Sequence, residues 1–166
     1  MTDLVQGFKN AFRRHPAGVA IVAAESADGR FGLTVSSVAS VSVDPVALVF
    51  SVTKSSGSAG QIIGADSFVV HLLGEGQADV ADAFARSGEP RFTPEQHWGT
   101  LPTGEPLLLD APVALRSRAL DTLTVGRSQL IVAEVLDVHE GPESGPLMYR
   151  DRQYFTLADS AAVTRA

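Results

Sequence analysis

The sequence contains no cysteine among its 166 residues. Disulfides, thiolate metal sites and cysteine nucleophiles are therefore excluded. Basic residues are also scarce, since 13 Lys and Arg stand against 19 Asp and Glu and form no block. Because binding to a phosphate backbone needs clustered cations, the composition argues against a nucleic-acid partner.

Long apolar runs are missing as well. No stretch is long enough to cross a bilayer, and the segment 1–14 lacks the apolar core of a signal peptide. We therefore expect no membrane association and a cytoplasmic location. Hydrophobic residues make up 45% of the chain, which is enough for one sizeable core. A chain of this length fits one domain, so we expect residues 1–166 to form a single unit.

Familiar catalytic constellations are absent too. The four histidines, His15, His71, His97 and His139, lie far apart, and none stands beside a carboxylate at metal-ligand spacing. There is no G-x-S-x-G elbow, no P-loop and no G-x-G-x-x-G after a strand. We therefore predict no metal site and no catalytic side chain. An enzyme with this sequence would depend on a bound organic cofactor for its chemistry.

Strand patterns outnumber helix patterns along the chain. Apolar or alternating segments predict seven strands, at 19–24, 32–43, 46–52, 68–73, 113–120, 128–140 and 153–158. Helical spacing occurs over 4–12, 58–66 and 77–88, and the segment 89–112 has the Pro, Gly and Thr content of a long ordered loop. Since strands and helices do not alternate regularly, the pattern favours a mainly β fold, a closed antiparallel barrel with helices outside it.

Two segments are rich in small hydroxyl side chains. The stretch GLTVSSVASVSVDP (32–45) alternates valines with glycine, threonine and serine. The stretch SVTKSSGS (51–58) follows a buried strand directly and leads into a short predicted helix. Helix N-termini and successive backbone N–H groups favour anions, so a phosphate-sized group is a reasonable guest. The alternative is an ordinary flexible Ser/Gly loop.

The order of these segments resembles the flavin reductase-like family, the small split-barrel proteins that bind FMN or FAD. The shared signature is G-x-T-x-S-S-x-x-S-x-S-x-D-P, and the resemblance runs from Phe8 to about Leu157. It includes GVAIVAA (18–24), FVVHLL (68–73), QADVADAFA (77–85), the pair Arg91-Phe92 and PLMYRDRQYFTL (146–157). The resemblance implies a six-stranded antiparallel Greek-key split barrel with flanking helices. It also implies a homodimer with flavin at the subunit interface.

The resemblance further implies a set of cofactor contacts. Gly32, Leu33, Thr34, Ser36 and Ser37 would face the flavin ring and ribityl chain, largely through backbone groups. Their small size would let the backbone approach a flat ring, while Val35, Val38, Val41 and Val43 bury the opposite face. The ribityl and phosphate end would be held by Ser51, Val52, Thr53, Lys54, Ser55 and Ser58, and Arg91 and Phe92 would approach from the loop.

The implied activity is that of an NAD(P)H:flavin oxidoreductase, with hydride passing from nicotinamide C4 to flavin N5. Reduced FMN or FAD would then leave for a partner flavin-dependent monooxygenase. Many members carry Gly-Asp-His where this chain has Gly126, Arg127 and Ser128, and that histidine is associated with the nicotinamide substrate. Candidate NAD(P)H contacts are Ser128, Tyr149 and Tyr154, and Arg127 meets a nucleotide phosphate or is simply exposed in a turn. The alternatives are a flavin carrier or sensor without turnover, and a split-barrel oxidoreductase with another substrate.

Overall fold

The structure, a computed structural model, describes residues 2–53 and 57–157. Its α-helices are α1 (Thr2–Arg14), α2 (Ser58–Ile63) and α3 (Ala78–Ala85), and a 3-10 turn spans Pro94–Gln96. The strands are β1 (Ala17–Gly18), β2 (Ala20–Ser26), β3 (Gly29–Val35), β4 (Ala39–Val43), β5 (Val46–Val52), β6 (Phe68–Leu72), β7 (Trp98–Thr100), β8 (Pro106–Leu108), β9 (Val113–Val125), β10 (Ser128–Glu140), β11 (Met148–Arg150) and β12 (Gln153–Phe155).

Seven of these strands form one sheet in the order β3-β2-β6-β9-β10-β5-β4. All neighbouring pairs in it are antiparallel. The two edge strands, β3 and β4, are joined by residues 36–38 alone. Three linking residues span at most about 14 Å between the flanking Cα atoms, so the two edges must lie close together. The sheet is therefore rolled into a barrel that is split at residues 36–38, which confirms the predicted mainly β split barrel with flanking helices.

The segment 32–43 forms two strands where the sequence predicts one. β3 pairs with β2, whereas β4 pairs with β5 on the other side of the split. Val35 is buried and Val38 packs against the barrel core, but Val41 and Val43 are 55% and 89% exposed. The expectation that all four valines bury one face is therefore wrong for Val41 and Val43 within one chain.

The core has two main parts. Inside the barrel, Phe50 and Phe68 meet edge to face with ring centroids 5.6 Å apart, among buried valines and alanines of β2, β5 and β6. Outside it, Phe84 of α3 packs with Leu108 and Leu147 against the outer face of β2. Each such buried side chain stabilises the fold by roughly 1.5–3 kcal/mol. This packing fixes α3 beside the edge strand β3.

Several boundaries differ from the sequence prediction. The segment 89–112 is not only loop, because Trp98 and Leu108 pair across the small β7–β8 hairpin and Trp98 packs on Phe84. The predicted helices 58–66 and 77–88 end at Ile63 and Ala85, and the strand predicted over 113–120 continues to Val125. The strands β1 and β11 escaped prediction, and β12 ends at Phe155. Within the described ranges, none of the helices has both the length and the apolar content needed to cross a bilayer.

Candidate functional site

A cleft of about 930 Å³ lies at the split, between β3, the end of β5, the start of α2 and the turn after α3. It brings together most of the residues that the resemblance marked for a cofactor. Those that line it are Leu33, Thr34, Ser36, Ser37, Ser51, Val52, Thr53, Ser58 and Arg91. Sequence reasoning missed that α3 and the turn after it also line the cleft. The residues they contribute are Phe84, Ala85, Ser87, Gly88 and Glu89. Only the helix-stop glycine Gly88 hinted that the chain turns back there. Lys54 and Ser55 lie outside the described residues.

Arg91 is the cation among the described residues that line the cleft. Its Nη1 donates to the Gly32 carbonyl at 2.7 Å and to Ser58 Oγ at 3.2 Å. Its Nη2 donates to the Arg86 carbonyl at 2.8 Å, and the guanidinium lies 5.5 Å from the Phe84 ring centroid. Among the described residues, Arg91 forms an ion pair with none, although Glu89 also lines the cleft. The guanidinium is therefore fixed in place by neutral groups and keeps its charge available for an anion.

Gly32 and Phe92 stand behind the cleft rather than in its wall. A Cβ atom on Gly32 would lie 2.5 Å from Phe84 Cε1 and 3.2 Å from Phe92 Cζ. Phe92 has a φ of 56° and packs its ring 5.0 Å from Phe84 and 4.8 Å from Trp98. The glycine is thus needed so that two aromatic rings can approach β3. That packing places the neighbouring Arg91 in the cleft.

Two of the predicted hydroxyls have structural partners. Thr34 Oγ1 donates to the Ala81 carbonyl at 2.6 Å and so ties β3 to α3. Ser37 Oγ accepts from the Ser51 N–H at 2.9 Å and lies 3.3 Å from the Ser51 carbonyl, which holds the split together. Ser36 and Thr53 are exposed to the cleft. These two hydroxyls remain available to a ligand.

The lining fits a flavin. β3 is an edge strand, so about half of its backbone N–H and C=O groups have no strand partner and can meet the polar edge of a ring. The half-buried Leu33 offers an apolar side chain beside them, and the buried side chains of Val52 and Phe84 also line the cleft. Arg91 and Ser58 gather charge and a hydroxyl at one end, as a phosphate group requires. The volume also lies within the range of small-molecule sites.

A second cavity of about 380 Å³ shares Thr34, Val35 and Ser36 with the cleft. Two of the predicted nucleotide contacts, Tyr149 and Tyr154, line it with their ring centroids 5.2 Å apart. Burial, followed by the charge of Asp82, raises the pKa of Tyr154, so its hydroxyl stays protonated near neutral pH.

Ser128 does not belong to this second cavity. It begins β10 opposite Val125, and its neighbour Gln129 pairs with Val52. Arg127 is exposed in the turn after Gly126, which has a φ of 59°. Within one chain, the structure therefore separates Ser128 from Tyr149 and Tyr154.

His71 has a structural role away from the cleft. Its ring is fully buried, with Nδ1 3.0 Å from the Ile21 carbonyl, and Nε2 accepts from the Leu108 N–H at 3.1 Å. Burial lowers the pKa of His71 to about 4, against the hydrogen bonds that favour protonation. The neutral ring links β2 to β8.

The fold and the cleft define a split barrel with a site for a flat, phosphorylated ligand at its open edge. The chain belongs to the flavin reductase like domain family, whose model matches residues 12–158. Among curated proteins, the NADH:FMN oxidoreductase of Rhodococcus qingshengii is 40% identical over 152 residues, which cover 89% of this chain and 79% of that protein.

Two solved structures show the same fold. The flavin reductase domain protein of Arthrobacter sp. FB24 superposes with a TM-score of 0.87 at 32% identity and covers 97% of this chain and 98% of its own. The styrene monooxygenase flavin reductase of Pseudomonas putida S12 gives a TM-score of 0.80 at 27% identity over 90% and 96% of the two chains. The similarity therefore extends over nearly the whole molecule.

Proposed function

We propose that the protein is an NADH-dependent flavin reductase that uses FMN. The observation that carries this proposal is the cleft at the barrel split, where edge-strand backbone, apolar side chains and Arg91 converge. The proposal is supported by the Rhodococcus relative, which is named for NADH and FMN. NADPH and FAD are the alternative nucleotide and flavin.

The chain's own residues would bind and orient rather than react. Leu33 and Val52 would contact the flat ring, and the free backbone groups of β3 would hydrogen-bond its polar edge. Arg91 and Ser58 would hold the phosphate. Lys54 and Ser55, which lie outside the described residues, stay candidates from the sequence. When bound, the flavin would accept a hydride from nicotinamide C4 at its N5. Exclusion of water and close positioning of the two rings would then provide most of the rate enhancement.

We propose a homodimer because the described surface carries a large apolar area. Val41 and Val43 on β4 are exposed, and so is Val46 at the start of β5. Leu120, Leu123 and Val125 are exposed on β9, two strands from β5 in the same sheet. Extended apolar patches of this kind mark interaction surfaces. A second copy would cover them.

A flavin-dependent monooxygenase is the proposed recipient of the reduced flavin. Support comes from the Pseudomonas relative, whose name makes it the reductase of a styrene monooxygenase. The cytoplasmic location and the single domain over residues 1–166 stay predictions.

Steady-state NADH oxidation tests the proposed activity. Purified protein should oxidise NADH several-fold faster when free FMN is added, and parallel assays with FAD and NADPH establish the preferred pair. Heat-denatured protein with FMN is the control for direct reaction. If no combination of flavin and nucleotide accelerates oxidation, the reductase proposal is wrong. A tightly bound flavin with no oxidation would favour the carrier alternative.

A further inference from the structure

We propose that Arg152, in the turn between β11 and β12, binds the diphosphate of the nicotinamide dinucleotide. The proposal rests on the reductase function proposed above and names the residue that holds the anionic part of the substrate. It is carried by the position of Arg152, by the absence of a side-chain partner among the described residues and by its backbone conformation.

Arg152 lines two of three cavities that meet at Ser36. Ser36 lines the flavin cleft, the second cavity and also a third cavity of about 840 Å³ beside α1. Tyr149 and Arg152 line both the second and the third cavity. A dinucleotide whose nicotinamide lies in the flavin cleft and whose remainder extends past Tyr149 would therefore pass Arg152.

The other arginines around this groove already have partners. Arg13 pairs with Asp151 at 3.2 Å, and Arg86 pairs with Asp82 at 3.0 Å. Arg150 lies over the Phe155 ring, 5.1 Å from its centroid. Arg152, by contrast, makes neither a hydrogen bond nor an ion pair with any residue that the structure describes. An unpaired guanidinium beside a cavity has the fork geometry that binds phosphate oxygens in pairs.

The backbone of this turn has an energetically unfavourable conformation at two residues. Asp151 and Arg152 have φ angles of 50° and 64°, in the left-handed region that glycine adopts most easily. Such a conformation costs a residue with a side chain roughly 1–2 kcal/mol. The turn is held by α1, since the Asp151 N–H donates to the Arg13 carbonyl at 2.7 Å. An arginine at a position that favours glycine indicates a use for its side chain.

Arg127, the arginine that the sequence suggested for a nucleotide phosphate, has a different position. It is exposed at the turn between β9 and β10 and lines none of the three cavities. Arg127→Ala is therefore a matched control for removal of one exposed guanidinium.

The test compares Arg152→Gly, Arg152→Lys and Arg127→Ala with the wild-type protein. Arg152→Gly should raise KM for NADH about tenfold or more, the loss expected of one charged hydrogen bond, with kcat and the Kd for FMN unchanged. It should also weaken binding of ADP, measured by calorimetry, by a similar factor. Its thermal midpoint should not fall, because glycine relieves the backbone strain. Arg152→Lys should be intermediate, and Arg127→Ala should match the wild type.

Two results would overturn the proposal. One is an Arg152→Gly variant with unchanged KM for NADH and unchanged ADP binding. The other is an increased Kd for FMN with riboflavin binding unaltered, which would assign Arg152 to the flavin phosphate instead. Failure of the reductase function is distinguishable, because wild-type protein would then leave NADH unoxidised whatever residue stands at position 152.

Discussion

The guanidinium of Arg91 is held in position by uncharged hydrogen-bond acceptors and not by a carboxylate of any described residue. Two backbone carbonyls and one serine hydroxyl hold the guanidinium, and Phe84 lies beneath it. Because none of these groups offsets the charge, an incoming phosphate would meet a fixed and uncompensated cation. At the scale of the single residue, we therefore predict that Arg91 contributes most to anion binding among the described residues of the cleft.

Replacement of Arg91 should separate phosphate binding from ring binding. Arg91→Ala should raise the Kd for FMN about tenfold to a hundredfold, as expected for loss of charged hydrogen bonds. The Kd for riboflavin, which lacks the phosphate, should change much less. Fluorescence titration of both flavins measures the two constants, and Arg91→Lys should recover part of the FMN affinity. Equal losses for FMN and riboflavin would show that Arg91 supports the cleft instead of the phosphate.

His71 makes stability depend on pH at a single residue. The pKa of its buried ring is about 4 in the folded chain against an ordinary 6.5, so the unfolded chain binds more protons between these values. The free energy of unfolding should therefore be greatest above pH 6.5. It should fall by about 3 kcal/mol as the pH drops to 4, so the folded state becomes less stable. Urea denaturation of the wild type and of His71→Asn should differ in this slope. The exposed His15→Asn variant should keep the wild-type slope, and a parallel slope for His71→Asn would contradict the assignment.

At the scale of elements, Glu105 ties together three parts of the chain. Its buried carboxylate accepts hydrogen bonds from Ser67 before β6, from Thr103 in the β7–β8 turn and from Arg116 Nε of β9 at 2.7 Å. Burial alone would raise the pKa of Glu105, but these donors outweigh it and lower the pKa to about 2. The carboxylate therefore anchors the small hairpin to the barrel while it is charged.

This anchor predicts a second window of pH-dependent stability. Because the folded pKa of about 2 lies below the ordinary 4.5, the stabilisation is complete above pH 4.5 and is lost as the pH falls toward 2. The loss should amount to about 3 kcal/mol. Glu105→Gln should be less stable than the wild type at pH 7 and should show a flatter profile below pH 4.5. The exposed Glu143→Gln is the control, and an unchanged profile in Glu105→Gln would refute the anchor.

Most strands of the main sheet could be predicted from the sequence, but some boundaries and one hairpin could not. Alternation and apolar runs predicted most strands of the main sheet, because one face of each strand is dry. The break at residues 36–38 could not be predicted, since its cause is closure of the barrel and not a local signal. The β7–β8 hairpin was also missed, because packing of Trp98 on Phe84 and His71 overrides the loop-like composition.

Part of the candidate site could also be predicted from the sequence. The hydroxyl segments and Arg91 stand out in the sequence and do line the cleft. The sequence could not show that Phe84 and the turn after α3 also line the cleft. Their position depends on the close packing of Phe84 against Gly32, which is far from it in sequence. The assignment of Arg152 depends on a backbone angle and on the absence of a partner within residues 2–53 and 57–157, which no residue pattern displays.

At the scale of the whole molecule, the exposed apolar surface predicts self-association. Val43→Glu would place a charge at the centre of an apolar contact, so it should shift the protein from dimer to monomer in light scattering after size exclusion. Leu109→Glu, which changes a half-exposed leucine in the segment between β8 and β9, should leave the dimer intact. A wild-type protein that is monomeric at micromolar concentration would contradict the proposed interface.

Anaerobic titration of the FMN-loaded protein with NADH is the sharpest test of the proposed reductase activity, since it follows the flavin itself. We expect the yellow absorbance of the flavin near 450 nm to bleach on addition of about one equivalent of NADH, within the mixing time of a hand-operated cuvette. Arg152→Gly protein should need higher NADH concentrations for the same rate. A flavin that stays bound and oxidised in excess NADH and NADPH would show that the protein is not an NAD(P)H-dependent flavin reductase.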